Sequence, residues 1–448
     1  MLTIRGSGHR FCDGVTRRQF LRVGGLGLAG LTLADLYRIE ARANVPSRRP
    51  KSIIYVVLSG GLSHIDSWDL KPDAPSEFRG DFKPMRTKVP GIDICEHFPR
   101  QAAMMDRLAL VRGVRSVEND HFLSEVYSGL SRTSGHRPAF GSVASRLLGG
   151  DNPLPTYVSL ERESGGQFDF QKPRYAGAAH APFRPFGEAV DDLQPAKDLD
   201  QLSDRKRLLN SFDAMRRDLD SAGALDGADR FKAQALDVLT SPRVREAFDL
   251  TRESNRLLTA YGHKAGWFSH QADIDIKYEW DARPFILARR LVEAGVRVVT
   301  LSVGSWDHHS GAKQQIFQSY KMVFPVLDQS ICALVDDLHA RGLSDDVLVV
   351  VLGEFGRTPK VSYPGPGREH WADAGAMLFA GGGLKMGQVI GATDSRAERS
   401  KSGTISFQNV VSTLYGVLGV DPAASLTDFS GRPQTLLDDR QPIRELVD

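Results

Sequence analysis

Hydrophobic residues in this 448-residue chain fall into short, nearly unbroken runs separated by longer segments of mixed polarity. The runs occupy residues 52–58, 108–111, 157–160, 296–303, 347–352 and 376–380, and they are rich in Val, Ile, Leu and Tyr. They lack the alternation of a half-exposed strand, so they predict strands buried on both faces, the pattern of a parallel sheet. Helical spacing lies between them. Apolar residues recur at helical intervals over 285–294 and 326–341, and Gly342 stands where a helix C-cap is expected. Strands alternating with helices predict an α/β fold, a largely parallel sheet flanked by helices. In such sheets ligands bind beyond the carboxyl ends of the strands.

Residues 161–282 interrupt this rhythm. A Gly- and aromatic-rich loop holding Gly165, Gly166, Phe168 and Phe170 runs on to Pro185, Phe186 and Gly187. Charged amphipathic segments follow at 203–222 and 228–239, with Ser203 and Asp204 as helix caps. A helical insertion packed on the sheet is expected there, either as a plain subdomain or as a lid. The N-terminus differs again, with Arg17-Arg18, a Gly-rich and mildly apolar run over 23–33, and the small-x-small triplet Ala41-Arg42-Ala43. That order matches a twin-arginine export signal over residues 1–43, leaving 44–448 as the exported domain. An anchoring helix is the alternative, but the run is shorter than the about 20 apolar residues a membrane span needs. The expectation is a periplasmic or extracellular protein with no stable span after cleavage.

Composition and charge narrow the function classes. At 41% hydrophobic and 25% charged, the chain has the make-up of an ordinary globular protein. Its 57 basic and 55 acidic residues nearly cancel, and no basic stripe interleaves with aromatics, so no nucleic-acid partner is expected. Cys12 lies in the export segment, and Cys95 and Cys332 alone cannot make a disulfide framework or a thiolate zinc site, although one bridge stays open. Gly381-Gly382-Gly383 lacks the Lys-Ser/Thr of a phosphate loop and reads as a turn.

The candidate chemistry clusters after the predicted strands. His64-Ile65-Asp66 follows the first run, Asp307-His308-His309 the fourth, and Glu354-Phe355-Gly356-Arg357 the fifth, with His370-Trp371 a little further on. Strand ends bring such carboxylates and imidazoles to one edge, which is how a chain gathers cation ligands that are distant in sequence. Each also has a structural reading. His64 and Asp66 suit helix caps, His370 suits a loop histidine, and Glu354 beside a buried strand suits an ion pair with Arg357, because an uncompensated buried carboxylate is costly. The planar fork of Arg357 equally suits an anionic substrate. His308 is expected to face solvent. His97, His136 and His180 show no partner pattern, although His180 lies in the loop that could cover the site.

The stretches Leu58-Ser59-Gly60-Gly61-Leu62-Ser63-His64-Ile65-Asp66, Lys71-Pro72-Asp73-Ala74-Pro75 and Gly353-Glu354-Phe355-Gly356-Arg357-Thr358-Pro359, with Ala380-Gly381-Gly382-Gly383, resemble the domain of unknown function 1501 family. The resemblance spans nearly all of the chain after the export segment. That family looks like a divergent branch of the alkaline phosphatase superfamily, relatives of which include sulfatases and cofactor-independent phosphoglycerate mutases. It therefore implies an alkaline phosphatase-like fold with one or two divalent ions, zinc or manganese on imidazole and carboxylate grounds. Asp307, His309 and His370 resemble the ligands of one ion, and Asp66, Glu354 and His64 those of the other. The superfamily usually has Asp-His where this chain has Glu354-Phe355.

In the superfamily the nucleophile lies in the stretch corresponding to residues 118–124. Ser124 is thus the candidate nucleophile and His121 a candidate site residue, with metal binding by Asn119, Asp120 or His121, or attack by a metal-bound water, as alternatives. Neither Cys-x-Pro-x-Arg nor its Ser version occurs, which argues against a formylglycine sulfatase. The expected function is an exported metal-dependent hydrolase of phosphate or sulfate esters, acting on a small molecule or a polysaccharide. The alternative is a non-catalytic exported binding protein on a degenerate version of the same fold.

Overall fold

The six apolar runs become strands of one sheet in the computed structural model, which describes residues 50–149, 154–161, 170–185, 242–269, 277–311, 315–401 and 403–448. They are β1 (Ser52–Val57), β2 (Leu108–Arg115), β3 (Tyr157–Ser159), β4 (Val298–Ser302), β5 (Val347–Leu352) and β6 (Gly375–Gly381). Two short strands that the pattern did not announce, β7 (Gln388–Ile390) and β8 (Ile405–Ser406), complete the sheet. Its order is β7-β2-β6-β5-β1-β4-β3, with β8 also pairing β2. β1 is central, with Ile53 opposite both Val298 of β4 and Leu348 of β5 in parallel register. Among the described strands of this sheet only β6 runs antiparallel to its neighbours. The sheet is therefore mostly parallel, and seven strands end on the same edge.

The absence of alternation in β1 has a direct cause, because both of its faces are covered. Ile54 and Val56 point into a core shared with α2 (Arg283–Ala294) and α3 (Ile316–Ala340), whereas Ile53, Tyr55 and Val57 point into a second core with α1 (Phe140–Leu148) and α4 (Phe407–Leu418). Each such aliphatic side chain contributes about 1.5–3 kcal/mol by leaving water. α3 starts ten residues earlier than position 326, the start expected from periodicity, and carries Pro325 inside it. Proline removes one helical hydrogen bond, but packing offsets this. Tyr320 stacks on Phe324 at 4.4 Å, and Trp306 lies against Phe324 at 6.1 Å.

The export signal expected over 1–43 and the helices expected over 203–222 and 228–239 lie outside the described residues. Within 161–282 the described parts include the helices Pro242–Phe248 and Asn255–Ala260 and the hairpin of Trp267–Ser269 with Lys277–Glu279. Among the described residues no helix is long and apolar enough to cross a membrane. Cys95 and Cys332 are buried free thiols rather than a bridge, and burial pushes the Cys95 thiol up to about 12.

Candidate metal centre

Two glycines let the strand-end loops approach one another. Gly60 and Gly61 follow β1 with φ of 106° and 77°, and a Cβ on Gly60 would overlap the backbone nitrogen of Asp307. The Gly60 N–H donates to Glu354 Oε1 at 2.8 Å, tying the β1 loop to the β5 loop. Arg357, fully buried, completes the tie. Its Nε donates to Gly61 O at 3.1 Å, its Nη1 to Arg368 O at 3.0 Å, and its Nη2 to Gly60 O and Asp307 Oδ1.

Three imidazoles surround the Asp307 carboxylate at this edge. His121 comes from the loop after β2 and Asp307 and His309 from the loop after β4, while His370 sits on a small hairpin in which Gly356–Arg357 pairs with His370–Trp371. The candidate ligand atoms of His121, Asp307, His309 and His370 all lie within 4.8 Å of one another. The ring Nε2 atoms face Asp307, at 3.2 Å for His121, 2.7 Å for His309 and 3.5 Å for His370. Each opposite nitrogen meets an acceptor. Nδ1 of His121 donates to Glu354 Oε1 at 2.9 Å, that of His309 to Glu369 Oε2, and that of His370 to Asn119 O at 3.1 Å. Acceptors at Nδ1 fix the proton there, so in the neutral ring the lone pair is on Nε2, aimed inward.

When protonated, the rings of His121 and His309 instead donate from Nε2 to Asp307, the form that their raised pKa values favour. Burial acts to lower the His121 pKa, but hydrogen bonds to Asp307 and Glu354 outweigh it and raise the ring to about 9. For His309 the bond to Asp307 is the main cause of an upward shift. Burial of Asp307 acts to raise its carboxyl, yet hydrogen bonds from His121 and His309, the closeness of His370 and the nearby Arg357 hold it far below the ordinary carboxylate range. Phe355 walls the cluster, its ring 4.5 Å from that of His370 and 5.5 Å from that of His121.

The structure thus gathers Asp307, His309 and His370 with His121, and sets Glu354 one step behind as the partner of His121. It does not bring His64 or Asp66 to them. Asp66 is buried and held by Arg368, whose Nε and Nη2 donate to its two oxygens at 2.6 and 2.9 Å, while Ser63 Oγ donates at 2.6 Å. With both oxygens engaged, a place in a second ion's ligand set gives way to a buried ion pair. His64 is also buried, with Nε2 2.9 Å from Ala397 O, and desolvation lowers its pKa. Ser124 Oγ donates to Leu130 O at 2.8 Å, and none of its hydrogen bonds reaches the four clustered residues.

Arg357 pairs with Asp307 rather than with Glu354. All three of its nitrogens serve internal acceptors, which leaves little of the fork for a substrate. His308 is buried rather than solvent-facing, packed edge-on against Tyr320 at 5.4 Å, and desolvation lowers its pKa to about 4. Asp120 accepts the backbone N–H of His121. His180 Nδ1 meets Ser145 Oγ at 3.0 Å on α1, and His97 packs edge-on against Phe82. Sequence reasoning missed Glu369 and Arg368 as partners of His309 and Asp66. The signal available was their place in Arg368-Glu369-His370, directly before a candidate ligand.

Fold and site together define an α/β protein with a histidine-carboxylate cluster at the carboxyl edge of its sheet. Residues 50–447 match the family described as protein of unknown function (DUF1501), and the chain belongs to that family. Comparison with curated proteins gives no match. Among solved structures, the PsFucS1 sulfatase from Pseudoalteromonas sp. is similar with a TM-score of 0.38 and 11% identity, over 92% of this chain and 75% of that one. The lipoteichoic acid synthase LtaP from Listeria monocytogenes gives 0.35 and 10%, over 83% and 72%. The phosphonate monoester hydrolase SpPMH from Silicibacter pomeroyi gives 0.33 and 11%, over 83% and 74%.

Proposed function

We propose that this protein is an exported, divalent-metal-dependent hydrolase of phosphate or sulfate esters. The observation that carries the metal reading is the orientation of three imidazoles, each anchored at Nδ1 by an acceptor and each aiming Nε2 at one carboxylate. His370 Nε2 fits this reading as well, being buried without a hydrogen-bond partner. Three imidazoles and a carboxylate suit zinc or manganese. Held by His121, Asp307, His309 and His370, such an ion would polarise an ester oxygen and acidify a water toward neutral pH.

The chain's own part is positioning. Glu354, Glu369 and the Asn119 carbonyl fix the rings, and Arg357 holds Asp307 while locking the loops after β1 and β5 together. His121, His309 and Asp307 keep partial solvent exposure, so an ester can reach them. Two observations favour the non-catalytic alternative: the expected ligand Asp66 is engaged by Arg368, and Ser124 gives its hydroxyl to Leu130 O. Export is supported by Arg17-Arg18 and Ala41-Arg42-Ala43. Retention inside the cell after Arg17→Lys with Arg18→Lys is the outcome that reading requires.

Metal analysis of the purified protein, with assays on aryl phosphate, aryl phosphodiester and aryl sulfate, separates the readings. The hydrolase reading expects about one zinc or manganese per chain, hydrolysis of at least one ester class, and loss of both in Asp307→Ala. Bound metal without turnover points to the binding protein. Metal content and turnover unchanged in Asp307→Ala would falsify the proposed centre.

A further inference from the structure

The residues after His121 lead away from the cluster into a second feature. Phe122 and Ser124 form part of the wall of a separate cavity of about 360 Å³. Among the described residues that line it, the titratable ones are all basic: Arg132, His136, Arg137, Lys172 and Arg174. Two of these side chains have a carboxylate at the limit of ion pairing, Glu118 3.9 Å from Arg132 Nε and Asp438 3.8 Å from Arg137 Nη2. The neutral hydroxyls turn inward, Ser124 donating to Leu130 O and Ser128 to Ser124 O. What the cavity offers a ligand is therefore positive charge.

Several of these groups are held in place. Arg137 Nη1 donates to Thr435 O at 2.6 Å, and the Arg132 guanidinium lies 3.5 Å over the Phe122 ring, which Phe170 meets edge-on at 6.0 Å. Arg174 has φ of 46°, a left-handed conformation uncommon for a residue other than glycine, and such conformations cluster at ligand sites. The volume falls within the about 300–1,000 Å³ of small-molecule clefts. Guanidinium forks match the oxygens of sulfate and phosphate groups.

We propose that this cavity is an anion subsite that binds a sulfate- or phosphate-bearing sugar unit of a polyanionic saccharide, with Phe122 and Ser124, which follow His121 along the chain, in its wall. The direction of the saccharide, with its scissile ester at His121, rests on the hydrolase reading. Binding in the cavity does not.

The test titrates the full chain with a dextran sulfate oligosaccharide, with uncharged dextran as the control. Dextran sulfate binds, and binding weakens as salt screens the cavity charges. Arg132→Gln with Lys172→Gln lowers the affinity about tenfold or more, because charge-assisted bonds are lost. Arg174→Asn lowers it too, and since Asn tolerates the left-handed backbone, that variant guards against loss of binding by unfolding. Wild-type affinity in both variants, equal affinity for uncharged dextran, or tighter binding of a single-stranded oligonucleotide overturns the proposal. Repeating the titration after chelation keeps the two readings apart. Dextran sulfate binding that survives chelation in a protein hydrolysing no ester leaves the subsite standing and removes the hydrolase.

Discussion

His309 depends on a neighbour for its orientation: Glu369 accepts its Nδ1–H, and the Ser310 N–H and hydroxyl hold Glu369 in turn at 3.1 and 2.9 Å. Outer partners of this kind are worth about 10–100-fold in metal affinity. Glu369→Ala should weaken zinc binding by about that factor, while its part-exposed position keeps the melting temperature of the metal-free protein close to wild type. Zinc titration beside a thermal melt checks this, and undiminished affinity would remove Glu369 from the centre. Asp66 is the opposite case, a buried partner of Arg368 rather than a member of the cluster. Arg368→Met leaves that carboxylate buried and unpaired, a change that destabilises proteins by about 3–5 kcal/mol. Denaturant unfolding should show the loss, whereas Asp66→Asn should keep its full metal content. Metal lost from Asp66→Asn would return Asp66 to the ligand set.

At the scale of elements, the loops matter more than the strands that carry them. The turn after β1 works because Gly60 and Gly61 adopt positive φ, and Gly367 likewise lies so close to His309 that a Cβ there would overlap its backbone. α3 makes a second kind of connection, through Asp328. Its carboxylate accepts the N–H groups of Arg100 and Gln101, both at 2.9 Å, and so satisfies the start of the short helix Pro99–Ala103. Burial raises its pKa to about 6 against the ordinary 3.8, despite those donors.

The sign of the consequence follows from proton linkage. Between pH 3.8 and about 6 the folded state holds the Asp328 proton more tightly than the unfolded state does, so stability falls as pH rises through that window. Above it the contribution is flat. Relative to Asp328→Asn, the wild type should lose up to roughly 3 kcal/mol from acid to neutral pH. Denaturant midpoints of both proteins across that range test it, and parallel curves would show that Asp328 does not titrate as stated.

For the whole molecule, the centre is where distant segments meet. His121, Asp307, His309 and His370 arrive from loops after β2 and β4 and from the hairpin before β6, with Glu354 and Arg357 joining from β5. An ion that binds only the folded chain stabilises it by mass action, about 4 kcal/mol at a thousand times its dissociation constant. Chelation should therefore lower the melting temperature of the wild type and leave that of Asp307→Ala in place. Equal shifts in the two proteins would mean that the ion acts elsewhere.

By itself the sequence determined the strands and the edge. Unbroken runs such as Ile53–Val57 are legible because burial on both faces demands apolar residues at every position, and a parallel sheet places strand ends together. It also supplied Asp307, His309, His370 and, through the family resemblance, His121. Tertiary structure decided which of these side chains meet. Asp66 and His64 leave the same strand end as the glycines of the site, but a side chain's partner depends on what packs opposite it. Arg368, some three hundred residues away, engages Asp66, and Arg357 chooses Asp307 over the nearer Glu354. Local spacing cannot encode those choices, because they are set by the close approach of loops that only the folded sheet brings together.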